Sequence, residues 1–448
     1  MTKEEKVKYL IIGNSAGGIG AVEAIREVDK NGPITVVSDE PYPAYSRPLI
    51  SDYLAEGYAL ERMLFRPADF YEKNDIQAIL GQKVTELDVE KHAIKLEDNR
   101  TIIWDKLLLA VGSLPIIPPI DGLGLKCVFT FSTLDDAKAI DQFLKHYHRE
   151  ARAVVIGGGL IGVSATNALV KRGVNVTVVE MKERILNTVL DEEGSSLVAA
   201  SLKQFGVDII TGNTVTGVSN YVPGETACVT TDDGRQLPCE IVIVAIGVRP
   251  RVELAPETRI NINRGIIVDR HMATSSPDVY ACGDVAEAYD FVYDDNRLTL
   301  IWPNAYVGGR VAGLNMASSP TIYQGGTAMN AIKYVGVSIV SAGIVAPPDD
   351  RYEVISHKDD HVYRKVVLRD GLIVGLVFSG DIERSGIVYN LMKDRVNVDS
   401  FKEVLIADDF GLASLPENIW RDRLATLPPE STLPLTSAER PEKLLVGE

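Results

Sequence analysis

Apolar residues in this chain come in short unbroken runs, closed by glycine or by an acid. KYLIIG (Lys8–Gly13) reads as a buried strand, AVEAIREV has helical spacing, and ITVVSDE (Ile34–Glu40) is the next strand. That order predicts a βαβ unit with its turn at the intervening glycines. It returns in AVVIGGGLIGVSATNALVKRGVNVTVVE, residues 153–180, which predicts a second unit of the same kind. Between them DKLLLAVG (Asp105–Gly112) is strand-like, and the proline-rich SLPIIPPI that follows predicts a crossing between units. After about residue 325 the glycine motifs stop. YRKVVLRDGLIVGLVFSG (Tyr363–Gly380) predicts a hairpin turning at Asp370-Gly371. SGIVYNLMKDRV and the segment after it read as helical, giving a third, α+β unit. The last stretch, rich in proline and charge, reads as a tail or docking arm.

Length agrees with this division, since 448 residues imply roughly three domains. No apolar run approaches the ~18–20 residues of a membrane span. The opening MTKEEKVKYLIIG lacks a secretory pattern, so a cytoplasmic location is expected. A net charge of -16 argues against a nucleic-acid partner. It fits either simple solubility or docking to a basic surface. The four cysteines, Cys127, Cys228, Cys239 and Cys282, form no CxxC and no iron–sulfur or zinc spacing. They read as small buried apolar residues, and no metal is expected.

Candidate chemistry sits in the glycine turns. Gly157, Gly158, Gly159 and Gly162 give GxGxxG after a strand and at the start of a helix, with Glu180 ending the next strand. The first glycine permits a tight turn, the second close approach to a pyrophosphate, the third close helix packing. Glu180 would accept bonds from ribose hydroxyls and repel a 2′-phosphate, favouring NAD(H) over NADP(H). In the first turn, Gly13, Ser15, Ala16, Gly17 and Gly18, serine stands where the second glycine is usual; Asp39 or Glu40 supplies the ribose acid. In SSPDVYACGDVAEA (Ser275–Ala288), Gly283-Asp284 follows an apolar strand and precedes a helix-like run. Asp284 reads either as a sugar-alcohol ligand or as a helix N-cap.

The order GNSAGG, LLLAVG, GGGLIG…E, AIGVRP and ACGDV resembles the FAD-dependent pyridine nucleotide–disulfide oxidoreductase family, over roughly residues 8–320. The third unit resembles the C-terminal domain of its rubredoxin-reductase, NADH-oxidase and nitrite-reductase-flavoprotein branch. The resemblance implies two Rossmann-like domains of the glutathione-reductase type plus a C-terminal α+β domain. The expected division is FAD-binding 1–115, NAD-binding 116–245, FAD-binding again 246–322, C-terminal interface domain 323–424 and tail 425–448. It implies FAD at Gly13, Ser15, Ala16, Gly17 and Gly18, with Asp39 or Glu40 on the ribose. Arg47 would reach the phosphates or the adenine side, and Val84 the adenine. Ala110, Val111 and Gly112 match an ATG-like segment of the family. Gly283 and Asp284 would serve the ribitol. Trp302, Pro303, Asn304 and Ala305 fall where the family approaches the isoalloxazine, although Trp302 also reads as a core aromatic. NAD would be held by Gly157, Gly159, Leu160, Ile161, Gly162, Glu180 and Gly247.

The chain also departs from the family. At YSRPLISD (Tyr45–Asp52) disulfide reductases carry CxxxxC and many oxidases a single cysteine, yet no cysteine precedes Cys127. Thiol chemistry loses its nucleophile there, and the HxxHP-type base is missing too. Other members keep a lysine near flavin N5, paired with a glutamate in GxxIGxE. This chain places Asp52 and Ser164 at those two positions. No side chain reads as an acid–base catalyst, and hydride transfer at flavin N5 rests on the cofactors. The expected activity is FAD-dependent NADH:acceptor oxidoreduction, in either direction. The expected partner is an iron–sulfur, rubredoxin or ferredoxin-type protein, reached as a homodimer or as the NAD(H)-reacting subunit of a larger complex. The alternatives are a peroxide-forming NADH oxidase or diaphorase, and an NADH-sensing flavoprotein with an assembly role.

Overall fold

The structure is a computed structural model that describes residues 4–145, 151–219, 226–334, 336–359 and 361–425. From residue 426 on, the expected tail lies outside the described residues.

The first sheet is built on the apolar strand Glu4–Ile12, which pairs in parallel with Ile34–Ser38 on one side and Thr101–Leu109 on the other. Ile76–Leu80 extends it beyond Ile34–Ser38, and Ala93–Leu96 and Val84–Asp88 close the far side. Val279–Ala281 pairs in parallel with Leu107–Leu109, so the chain returns to this sheet long after leaving it. Its centre, Tyr9–Ile12, Ile34–Val37 and Leu107–Leu109, is buried on both faces, which is why those stretches read as continuous apolar runs.

The second sheet is wholly parallel, in the order Asp208–Ile210, Asn175–Val179, Arg152–Ile156, Ile241–Val244, Val128–Phe129. The chain passes between the two sheets twice. Its two passages, Ser113–Pro115 and Val248–Pro250, pair antiparallel.

The third sheet is antiparallel, with Met329–Tyr334, Val337–Gly343, Leu372–Ser379, Tyr363–Arg369 and Glu353–Lys358 in that spatial order. Its central hairpin turns at Asp370-Gly371, both at positive φ (54° and 74°), the tight turn whose twist matches that of the strands. The helix after it is Ser385–Lys393; the following segment, expected to be helical, forms 3₁₀ turns at Lys402–Ile406 and Leu412–Ser414 before the helix Glu417–Ala425.

One apolar core joins all three regions. It gathers Tyr45, Ile50 and Leu54 from the run after the first unit, Val155, Val163 and Leu169 from the second, and Ile332, Ile339 and Val377 from the third. The third sheet is also tied by charge. Asp191 caps the helix Glu192–Gln204 through the Gly194 N–H, and Tyr363 Oη (2.5 Å) and Lys365 Nζ (2.8 Å) donate to its other oxygen. Burial opposes ionisation of Asp191, but these bonds outweigh it and hold the carboxyl below its ordinary range.

One expected element is overturned. The run after Gly283-Asp284 is not a helix: a three-residue 3₁₀ turn (Gly283–Val285) leads into the strand Ala286–Asp290. That strand pairs with Ile266–Ile267 and Asp295–Leu298, and Glu287 accepts the N–H groups of Arg264 and Gly265. These distant partners outweigh the local helical spacing. The N-cap reading of Asp284 falls with the helix.

Candidate functional site: two glycine cradles

At the first turn Gly13 has φ +119°, and a Cβ there would lie 2.1 Å from the Ala110 carbonyl. A Cβ on Gly18 would lie 2.0 Å from the Gly13 carbonyl. Only glycine lets the LAVG strand end, the turn and the helix Ala16–Val28 meet this closely. Ser15 stands extended at the helix N-cap and makes no side-chain cap bond, so the first N–H groups of the helix are not closed off by it.

Distant segments converge on this turn. Ala110 donates to the Ile12 carbonyl, and Arg251 N–H to the Gly112 carbonyl. A Cβ on Gly17 would meet Cys282 Sγ at 2.7 Å, and one on Gly283 would meet Ala305 Cβ at 3.3 Å. Gly13–Gly18, Ala110–Gly112, Gly283-Asp284 and Trp302–Ala305 are therefore one neighbourhood. Asp284 Oδ2 accepts from Ser113 Oγ at 2.7 Å. Burial raises the Asp284 carboxyl, while this bond and the Arg47 charge oppose the rise. Trp302 opens the helix Trp302–Met316 half-buried, its ring edge-on to Phe65 at 5.1 Å. Asn304 Nδ2 donates to the Thr327 carbonyl. Val84 lies buried in the first sheet's core.

The rim is ion-paired. Asp39 accepts from Arg251 at 2.7 Å. Burial disfavours the Asp39 charge, but Arg251, with Arg47, outweighs it and lowers the carboxyl below its usual range. Glu40 is shared by Tyr45 Oη (2.6 Å) and Arg47, and Arg47 also donates to the Ser132 carbonyl at 3.0 Å. Asn14 Nδ2 donates to the Tyr42 carbonyl, and Tyr71 bridges Asn14 Oδ1 and the Ala44 N–H. The PYPAYSR run is thus fastened to the glycine turn itself.

The second cradle repeats the backbone with simpler trim. Gly157 has φ +105°, and a Cβ on Gly162 would lie 1.9 Å from the Gly157 carbonyl. The helix Leu160–Lys171 has Gly159 at its N-cap and no side-chain cap. Glu180 accepts from the Gly158 N–H at 2.6 Å and the Lys182 N–H at 2.8 Å, which places its carboxylate on the turn. Gly247 has φ +127°, and its carbonyl accepts from the Ile116 N–H.

Asp52 and Ser164 lie on two helices that pack together. The helix Ile50–Glu56 packs along Leu160–Lys171, and a residue of the third sheet joins them. The Tyr334 hydroxyl donates to the Leu160 carbonyl at 3.5 Å, and burial raises its phenol, with Ser164 opposing the rise and the Asp52 charge adding to it. Tyr334, Ser113 and Arg251 carry no motif and were not legible as site residues.

All four cysteines are unpaired. Cys282 lies behind Gly17, fully buried, and burial alone pushes its thiol up to about 12. Among the described residues His357, Asp359 and Asp408 form a group with metal-type donors on the third sheet, but Arg364 donates to the same Asp408 oxygen at 2.7 Å. Among them too, no helix is long and apolar enough to cross a membrane.

The family described as pyridine nucleotide-disulphide oxidoreductase matches residues 7–309, and the rubredoxin NAD+ reductase C-terminal domain matches residues 329–396. The NADH-dependent phenylglyoxylate dehydrogenase subunit epsilon of Aromatoleum evansii is 30% identical, over 93% of this chain and 99% of that protein. The assimilatory nitrate reductase electron transfer subunit of Bacillus subtilis is also 30% identical, over 87% of this chain, which spans 50% of that longer protein. The crystal structure of NADH:rubredoxin oxidoreductase from Clostridium acetobutylicum superposes with a TM-score of 0.71 at 27% identity, covering 88% of this chain and 97% of that one.

Proposed function

The chain belongs to the pyridine nucleotide-disulphide oxidoreductase family, and from that premise we propose that it is an FAD-dependent NADH:acceptor oxidoreductase. It exchanges electrons, in either direction, with an iron–sulfur or rubredoxin-type protein as the NAD(H)-reacting subunit of a larger cytoplasmic assembly. The first cradle fits FAD. Its turn is kept free of side chains by glycines that a Cβ would fill, and the uncapped first N–H groups of Ala16–Val28 would hold a phosphate there. Asp284 offers a half-buried carboxylate to a polyol, held in place by Ser113. Arg47 brings positive charge between Glu40 and Asp284. The second cradle fits NAD(H), with Glu180 on the turn where a ribose would lie. Bound FAD supplies the exchange between a two-electron donor and one-electron acceptors.

The observation that carries this reading is the fate of the thiols. Cys282, the cysteine behind the first cradle, is sealed by Gly17 and held protonated, and the YSRPLISD run has none. Electrons leaving the cradle therefore pass to another molecule rather than to a protein disulfide. Anaerobic stopped-flow tests it. Purified protein should carry flavin absorbance, bleach with NADH, and recover faster with a rubredoxin or ferredoxin than with O₂. Fast stoichiometric peroxide formation would overturn it in favour of an oxidase.

A further inference from the structure

Among the described residues the third sheet ends in the strand Glu353–Lys358, which pairs with Tyr363–Arg369 alone. Such an edge is ordinarily shortened, covered or tied down. Here the later segment Lys402–Ile406 packs against both strands. Lys402 Nζ bonds both carboxylate oxygens of Glu353, at 2.6 and 2.7 Å, and fastens that segment to the start of the edge strand. At the strand's other end a different set of groups meets: His357 and Asp359 face Asp408, which follows the same 3₁₀ turn.

One donor atom from each of the three lies within 4.8 Å of the others. His357 Nε2 is closed to solvent and makes no hydrogen bond among the described residues. Asp359 Oδ2 stands 3.8 Å from it and Asp408 Oδ1 3.9 Å, too far for hydrogen bonds. Two ligands on one cation, each about 2.1 Å from it, lie roughly 3–3.5 Å apart. Two surface carboxylates therefore need to close by only about half an ångström to share an ion with the imidazole. Both acids are already aimed. Asp359 Oδ1 accepts the N–H groups of His361 and Val362, at 2.7 and 2.8 Å, which leaves Oδ2 towards His357. Arg364 Nη1 holds Asp408 Oδ1 at 2.7 Å, and ligating carboxylates are ordinarily steadied by such outer hydrogen bonds. The Arg364 charge is shared with Asp381, 3.2 Å away, and Arg384 donates to the Asp408 carbonyl. Three acids against two arginines leave the group net negative.

We propose that His357, Asp359 and Asp408 bind a divalent cation of the zinc type, with water completing its coordination. One imidazole nitrogen beside two carboxylate oxygens suits Zn2+ better than Mg2+ or Ca2+, which take oxygen ligands. The imidazole binds through Nε2 and Asp359 through Oδ2. Asp408 keeps its Arg364 bond and offers the remaining lone pairs of its carboxylate. The cation clips the end of the edge strand to the returning segment, as Lys402 and Glu353 do at its start. His357 is half-buried and both acids are exposed, so the ion enters from water. Only the fold assembles the set, because Asp408 arrives from far along the chain. None of the three residues belongs to either glycine cradle. The site is structural, and it does not rest on the function proposed above.

Equilibrium dialysis of the full-length, chelator-stripped protein against micromolar Zn2+ tests this, with amide hydrogen exchange followed on the same samples. The wild type should take up one Zn2+ per chain, and exchange of the Glu353–Lys358 amides should slow several-fold on its addition. His357→Ala and Asp359→Asn should each weaken uptake roughly tenfold or more and remove that protection. Cofactor content and Tm without metal should stay as in the wild type, which shows that the variants fold. His271→Ala, at a half-exposed histidine facing Asp269 at 3.6 Å, should bind Zn2+ as the wild type does. Equal uptake by wild type and His357→Ala, or uptake that leaves the Glu353–Lys358 amides unprotected, would mean an adventitious ion only and overturn the inference. No uptake by the wild type overturns it as well. Each of these results leaves the proposed function intact.

Discussion

The two cradles share a backbone but not a style of bracing. Around the first, each of three acids has a side-chain partner: Asp39 and Asp284 bond the distant Arg251 and Ser113, and Glu40 bonds the nearby Tyr45 and Arg47. Around the second, Glu180 bonds, among the described residues, backbone N–H groups of its own unit, those of Gly158 and Lys182. A site braced by side chains from four segments resists opening, which suits a nucleotide that stays. A site trimmed by its own turn can fill and empty without disturbing the rest. Because the glycine geometry is nearly the same in both, the comparison predicts that any difference in retention comes from this cross-bracing.

The sharpest way to break the comparison is to fill each turn in the same way. Gly18→Val and Gly162→Val each put a side chain within about 2 Å of a carbonyl. Gly18→Val should yield protein without flavin absorbance and with a lowered Tm. Gly162→Val should keep its flavin yet fail to bleach with NADH, while dithionite still bleaches it. Flavin loss from both variants would mean that the cradles are not independent.

Next in size is the clamp holding the second unit on the third sheet. Asp191 and Lys365 are nearly buried and joined at 2.8 Å. Lys365→Met leaves Asp191 buried with only Tyr363 and its cap bond, and should cost about 3 kcal/mol of unfolding free energy in urea melts. The pH dependence follows from the lowered Asp191 carboxyl. Its contribution is present above the unfolded value of about 3.9 and is lost as pH falls through the lower folded value. Wild type and Lys365→Met should therefore converge in acid. A constant gap down to pH 2 would assign the loss to packing alone.

A third variant addresses the trim of the second cradle. Glu180→Arg should reduce kcat/KM for NADH about 100-fold, equivalent to about 2.7 kcal/mol, with flavin content unchanged. NADPH should be used relatively better, because an arginine there would meet a 2′-phosphate that a carboxylate would repel. Equal loss of flavin and NADH use would refute the assignment of the two turns to two nucleotides.

What the sequence made legible follows from these same contacts. Glycines at close backbone approaches, apolar parallel strands and the Asp370-Gly371 turn are local requirements, so they leave local patterns. Ser113 beneath Asp284 and Arg251 on Asp39 do not, because each lies far from its partner in the chain and any serine or arginine looks alike there. Tyr334 was hidden for the same reason, arriving from the third sheet into the junction of the other two. Asp52 and Ser164 were noticed only as departures from a pattern. Ala286–Asp290 was misread outright, since Glu287 satisfies two N–H groups that a helix there would abandon.

The smallest expected effect falls on the rim that distinguishes the first cradle. The Asp39–Arg251 pair is partly solvent-exposed, with side-chain exposures of 39% and 24%, so its worth is reduced by screening. Arg251→Gln should lower stability by about 1 kcal/mol or less. The flavin off-rate should nonetheless rise several-fold, because the Arg251 side chain ties the second crossing to Asp39 on the rim of the first cradle. The lowered Asp39 carboxyl fixes the sign with pH: the pair stabilises above about pH 4 and ceases to as Asp39 protonates. Flavin release from wild type should therefore accelerate towards that of Arg251→Gln as the solution is acidified, and high salt should narrow the gap at neutral pH. If release is equally slow in both proteins at neutral pH and low salt, retention rests on the glycine turn and Asp284, and cross-bracing of the rim is not what separates the two cradles.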